Sequence, residues 1–197
     1  MGTVDGRAER GDATRAQIVD AAGELFSTRG YSEVGTKEVV RKAGVTRGAM
    51  YHHFREKRDL FRAVLEANQS RMLQTIVAGM DRSTDPWERI VQGIDVFFDE
   101  CMDKSGVQIG LVDGPAVLGW DDWSELHAEY WLGLIETSLR EAMDAGVLRR
   151  SDPGSLAHLL DGAFIKAALL VANSDDPVEA RRRVRASLML LIEGLRI

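Results

Sequence analysis

Apolar residues recur at i, i+3, i+4 and i+7 along almost all of this chain, and no apolar–polar alternation is sustained. A period near 3.6 gathers such residues on one face of a helix, whereas a half-buried strand needs a period of two. The spacing therefore predicts an all-α fold. With 197 residues, the chain can bury those faces in one or two domains without help from disulfides or metals. Its single cysteine, Cys101, excludes an intrachain disulfide framework and any multi-cysteine metal site, which suits a reducing compartment. No apolar run comes near the roughly 18 residues that cross a bilayer, since even the stretch from Ala163 to Ala172 carries Lys166. The charged start, with Asp5, Arg7, Glu9, Arg10 and Asp12, lacks the apolar core of a secretory signal and is expected to be a flexible tail over residues 1–13. Together these features set the expectation of a cytoplasmic protein with no membrane partner.

Capping residues mark where the helices begin and end. Thr14 followed by Gln17 has the spacing of a capping box, in which each side chain satisfies a free N–H of the first turn. Ile18, Ala21, Ala22, Leu25 and Phe26 then share one face, and Gly30 supplies a left-handed stop. Thr36 is the expected N-cap of a short second helix carrying Val39, Val40 and Ala43 and ending at Gly44. After a minimal turn, Thr46 can cap a third helix with Ala49, Met50, Tyr51 and Phe54. Further on, Asp85-Pro86, Asp152-Pro153 and Asp176-Pro177 put proline at the first helical position, where its missing N–H costs nothing. Helices are expected there over residues 86–103, 153–173 and 177–196, with another from Asp122 to Ala145 ending at Gly146. The apolar segment Gly110 to Gly119, broken by Gly114-Pro115, predicts a kinked or interrupted helix.

Two short helices joined by Ala43-Gly44-Val45 form a helix-turn-helix pattern, with Gly44 allowing the tight turn and Val39 and Val45 packing the helices together. In such a pair the second helix enters a major groove. Its first turn carries Thr46, Arg47 and Gly48: a hydroxyl and free helix N–H groups suit a phosphate, and an arginine reaches a base edge. Gly48 and Ala49 keep the helix backbone close to the bases, while Tyr51, His52, His53 and Lys57 offer contacts to the DNA backbone. Each also has a plainer role available: Thr46 as a cap only, Tyr51 as core, the histidines and cations as solvated surface. Charge is divided in the same sense, because residues 1–60 hold 11 Lys and Arg against 9 Asp and Glu, while residues 61–197 hold 14 against 22. A mildly cationic N-terminal face on an acidic molecule suits an anionic polymer.

The run TKEVVRKAGVTRGAMYHHFREKRDL, from Thr36 to Leu60, resembles the DNA-binding segment of the TetR family of bacterial transcriptional regulators. The helix from Ala16 to Phe26 with Arg29-Gly30-Tyr31 is similar to that family's first helix. This resemblance implies a three-helix DNA-binding domain over residues 14–62 and a helical ligand-binding and dimerisation domain over residues 63–197. It further implies a homodimer on a partly palindromic double-stranded DNA operator, read by Thr46, Arg47, Gly48 and Tyr51, with Thr36, His53 and Lys57 at backbone-contacting positions. Val40 departs from the family's usual Ala where the two helices touch, which bears on the angle between them.

For the C-terminal part the expected dimer stripes are Leu126, Tyr130, Ile135 and Leu139 on one helix and Leu156, Leu160, Ala163, Phe164 and Ala167 on the next, forming an intersubunit four-helix bundle. An aromatic-rich wall of Phe97, Phe98, Met102, Trp120, Trp123 and Trp131, with Val112 and Leu118, is the candidate enclosure for an unknown, largely apolar inducer; plain core packing is the alternative. Asp113 either orients that ligand or caps the helix at Gly114-Pro115. His127 and His158 lack a partner at i, i+4, so no metal is expected. No nucleophile elbow, phosphate loop or dinucleotide fingerprint is present, so neither an enzyme nor a cofactor is expected. The competing expectation is a helical protein-binding adaptor, which would lack the steep salt dependence of a DNA complex.

Overall fold

The computed structural model describes residues 5–197. Its helices are α1 (Asp5–Arg29), α2 (Thr36–Ala43), α3 (Arg47–His53), α4 (Lys57–Met80), α5 (Pro86–Glu100), α6 (Lys104–Val107), α7 (Gly114–Leu118), α8 (Trp120–Asp144), α9 (Pro153–Ala172) and α10 (Pro177–Glu193), with a π-helical turn over Gln108–Asp113. The all-α expectation holds. Helices α1 to α3 pack on the start of α4 around Phe26, Phe61 and Tyr31, whose rings lie 5.1–5.7 Å apart. Burying side chains of this size contributes roughly 1.5–3 kcal/mol each.

Several ends differ from the expected ones for local reasons. The first helix is already formed at Asp5, and Thr14 Oγ1 donates back to the Arg10 carbonyl at 2.8 Å, so Thr14 lies inside α1 and caps nothing. Of the expected tail over residues 1–13, residues 5–13 are therefore helical; residues 1–4 lie outside the described residues. The N-cap of α2 is Gly35, whose N–H donates to Glu38 Oε2 at 3.2 Å, so Thr36 is the first helical residue. The aspartate–proline starts of α5, α9 and α10 are as expected, each aspartate accepting an N–H three residues on. Helix α10 stops at Glu193, short of the expected 196, because the chain turns to pair with the α8–α9 connection: Arg149 N–H donates to Leu195 O at 2.9 Å and Ile197 N–H to Val147 O at 3.3 Å.

The interrupted helix is a widened turn. Proline at position 115 offers no N–H, and Gly114 N–H reaches back to Ile109 O, one residue further than in an α-helix. Trp123 Nε1–H donates to the Gly110 carbonyl at 2.8 Å, with its ring lying directly on Gly114.

Two faces of α8 are occupied by its own chain, by α4 and α5 on one side and α9 on the other. Leu126, Leu139, Leu160 and Ala167 are consequently buried, while Tyr130, Ile135, Leu156, Ala163 and Phe164 pack partly buried against the same clusters. The expected dimer stripe thus serves the internal core. Several exposed apolar side chains lie on α9 and α10, with Leu159 73% and Leu190 71% exposed and Leu170, Val178 and Leu191 also exposed. By length and composition α9 could cross a bilayer, contrary to the sequence expectation, but it carries Asp161 and Lys166 and packs Ala157, Leu160, Ala167 and Val171 into the core.

Candidate nucleic-acid interface and ligand cavity

Helix α3 is short, and its geometry is fixed from both ends. Thr46 Oγ1 accepts the Ala49 N–H at 3.1 Å, the expected cap, and Met50 and Phe54 anchor the opposite face in the core. Gly44, at φ +64°, makes the turn from α2. What remains outward is a shallow groove walled by Thr36, Lys37, Val40, Arg47 and Tyr51. Val40 is half-buried against the core, so the departure from Ala forms part of that wall. Thr36 Oγ1 and Tyr51 Oη are 3.4 Å apart, and the Arg47 guanidinium lies 5.4 Å over the Tyr51 ring. The Thr36 hydrogen bond first, and Arg47 second, hold the Tyr51 phenol below its ordinary pKa. Gly48 is exposed, and a Cβ there would meet Thr46 Oγ1 at 3.9 Å; His52 is exposed and His53 half-buried, their rings 5.3 Å apart. Lys37 is the groove residue the sequence reasoning passed over, although it adjoins Thr36 in the motif.

Lys57 is placed differently from the rest. Its Nζ donates to the Tyr31 carbonyl and sits 3.9 Å over the Tyr31 ring, and burial pushes its pKa down. It closes the α1–α2 turn onto α4 and does not face the groove.

A cavity of about 130 Å³ lies between α4, α5, α8, α9 and the π-helical turn, roughly ten times the space one buried water requires. Of the expected ligand residues, Phe97 and Trp131 line it. Phe98 is fully buried in the C-terminal core, and Met102 packs against that same core. Trp123 is held on Gly110, whereas Trp120 is 67% exposed. Ile135, Leu139, Leu160 and Phe164, expected at a subunit interface, line the cavity instead. Its polar lining includes Asn68, Gln69, His127 and Asp161, which no local motif signalled because they come from three helices. Gln69 Oε1 accepts the Trp131 Nε1–H at 2.7 Å, and His127 Nε2 lies 3.0 Å from Asp161 Oδ1.

Asp113 neither faces the cavity nor caps α7. Its Oδ2 accepts the Tyr31 N–H at 3.1 Å and its Oδ1 accepts the Gln108 Nε2–H at 2.9 Å. Beside it, Arg58 at the start of α4 donates to the Leu118 carbonyl at 2.9 Å and pairs with Asp122 at 2.6 Å. The helix-turn-helix unit is therefore fastened to the segment that walls the cavity.

The chain matches two family models: one described as bacterial regulatory proteins of the tetR family over residues 18–64, and a tetracyclin repressor-like C-terminal domain over residues 87–195. It is 27% identical over 161 residues to the Transposon Tn10 TetC protein of Escherichia coli, covering 82% of this chain and 81% of that one. A solved TetR-family transcriptional regulator from Pectobacterium atrosepticum is 29% identical and superposes with a TM-score of 0.83 over 96% of this chain and 97% of its own. Another solved structure, described as the molecular basis for control of antibiotic production by a bacterial hormone, is 28% identical with a TM-score of 0.73, covering 94% and 98%.

Proposed function

Since this chain belongs to the TetR family and is a DNA-binding transcriptional regulator, we propose that it is a cytoplasmic repressor, released from a partly palindromic operator when a small, largely apolar ligand enters the cavity. It acts as a homodimer. Thr46, Arg47, Gly48 and Tyr51 read bases, while Thr36, Lys37, His52 and His53 contact the DNA backbone. Lys57 holds the turn that carries the reading unit. The subunits meet through the exposed apolar faces of α9 and α10.

The observation that carries this reading is the identity of the cavity wall and the DNA-domain fastening. Gly110 and Leu111 line the cavity, and Asp113, within the same π-helical turn, accepts the N–H of Tyr31. A ligand that shifts this turn shifts the start of the α1–α2 connection with it. In a dimer the two recognition helices stand roughly 34–36 Å apart on one face of the DNA. A ligand that favours another separation lowers affinity only as far as its differential binding to the two states allows. The similarity to a structure concerned with hormone control supports an effector of this kind.

Selection of a random duplex library on the purified protein at two salt concentrations tests the DNA half. A short inverted repeat should be enriched at both, with affinity falling steeply as salt rises, because phosphate contacts release counterions. Absence of any enriched repeat would overturn the operator reading and favour a helical adaptor.

A further inference from the structure

We infer that the cavity takes an uncharged amphiphile whose polar head donates a hydrogen bond to His127 Nδ1 and whose apolar tail runs toward Met80 and Ile90. This rests on the cavity being the effector site.

His127 is only 7% exposed, lines the cavity, and leaves its Nδ1 buried without a hydrogen-bond partner. The Asp161 carboxylate, 3.0 Å from Nε2, can only accept. With the single ring proton on Nε2 toward that carboxylate, Nδ1 presents a bare lone pair. The ring stacks on Trp123 at 5.1 Å and 24°, and its Nε2 is placed by Asp161. Two other side-chain groups on this wall have partners within the chain: Asn68 Nδ2 donates to Gly106 O at 3.2 Å, and Gln69 Oε1 accepts from Trp131. Buried acceptors are rarely left unpaired, and this one belongs to a side chain that lines a cavity of about 130 Å³.

Charge decides the head group. Arg71 is the cation on the lining, and its Nη1 is already 3.0 Å from Glu100 Oε2. Asp161 and Glu100 both carry negative charge there, so a ligand carboxylate meets repulsion with no uncommitted cation to hold it. A hydroxyl or amide N–H meets an acceptor.

Length decides the orientation. Along α4 the lining passes from Asn68 and Gln69 to Ile76 and Met80, a rise of roughly 18 Å from first to last at 1.5 Å per residue. Around the far end stand Ile90, Leu139 and Ile192, and the hydroxyl of Ser138 is already given to the Leu134 carbonyl. A tail finds no polar group left open there.

Three probes of one chain length, 1-octanol, octyl methyl ether and octanoate, test this by calorimetry and by Trp fluorescence on the full-length protein. The alcohol should bind at least tenfold tighter than the ether, which cannot donate, and tighter than octanoate. His127→Phe keeps a ring on Trp123 and should bring alcohol and ether within about twofold of each other. Asp161→Asn, which lets an amide donate to Nε2 and move the ring proton to Nδ1, should likewise erode the preference and guards against a misfolded phenylalanine variant. Equal binding of alcohol and ether to the wild type, or tightest binding of octanoate, would overturn the head-group assignment. If those equal affinities are still abolished by Leu160→Trp, which fills the cavity, the effector site itself stands. Binding that ignores Leu160→Trp, or no binding by any probe, overturns both.

Discussion

Arg47 leans over the Tyr51 ring at 5.4 Å from the outer end of the recognition helix, and this stacking pre-orients the guanidinium while leaving its donors toward the groove. Arg47→Ala should cost roughly 1–3 kcal/mol per contact and relax base preference at one position of each half-site. An operator-selection profile identical to the wild type would remove Arg47 from the base-reading set. Lys57 is expected to behave otherwise, because its ammonium is committed to the Tyr31 carbonyl. Lys57→Ala should weaken all sequences alike and lower the melting temperature, yet leave the salt slope unchanged. A phosphate contact would instead have contributed about one unit of slope, so titration at several salt concentrations separates the two roles. From sequence Lys57 and Arg47 are both exposed cations in a motif. Only the course of the α1–α2 turn brings the Tyr31 carbonyl within reach of one of them.

At the scale of elements, the break between α6 and α8 is governed by Gly114. A Cβ there would lie 2.7 Å from Trp123 Cδ1 and 3.3 Å from the Ile109 carbonyl, and neither an indole ring in the core nor a backbone oxygen can move aside cheaply. Gly114→Ala should therefore destabilise by about 1–3 kcal/mol and loosen Trp123 from Gly110, seen as a lower melting temperature and a shifted Trp emission. Gly133, in the middle of α8, has nothing within 4 Å of its would-be Cβ. Gly133→Ala should gain about 0.5–1 kcal/mol by helix propensity alone. The reverse order would mean that the widened turn is set by something other than this packing. Helix starts here were legible because aspartate–proline pairs and Thr46 act locally. The broken segment was legible as a break, but its π-helical form was not, since that depends on Trp123 reaching back to Gly110. Glu193 as the end of α10 was illegible for the same reason: its cause, the pairing of Leu148 with Arg196, lies 45 or more residues away in sequence.

For the whole molecule the question is which apolar surface meets a second copy. Periodicity identified α8 and α9 as apolar over much of their circumference but could not say which neighbour covers which face. Leu139 and Phe164 were thus assigned outward when they turn toward the cavity. The exposed set has its own helical spacing, Leu159, Gly162, Lys166 and Leu170 on α9 and Val178, Arg182, Ala186 and Leu190 on α10, which suits two helix pairs crossing in a four-helix bundle. A charge on that face costs little in a monomer and several kcal/mol once buried without a partner. Leu190→Glu should accordingly raise the dimer dissociation constant more than a hundredfold, giving monomer at micromolar concentration by sedimentation velocity. Operator affinity should fall with it, because each monomer brings a single recognition helix to one half-site. Leu126→Ala, inside the chain's own core at 3% exposure, should instead cost about 2–5 kcal/mol of stability while the protein sediments as a dimer below its melting temperature. A Leu190→Glu protein that remained dimeric, alongside a Leu126→Ala protein that dissociated while folded, would return the interface to α8.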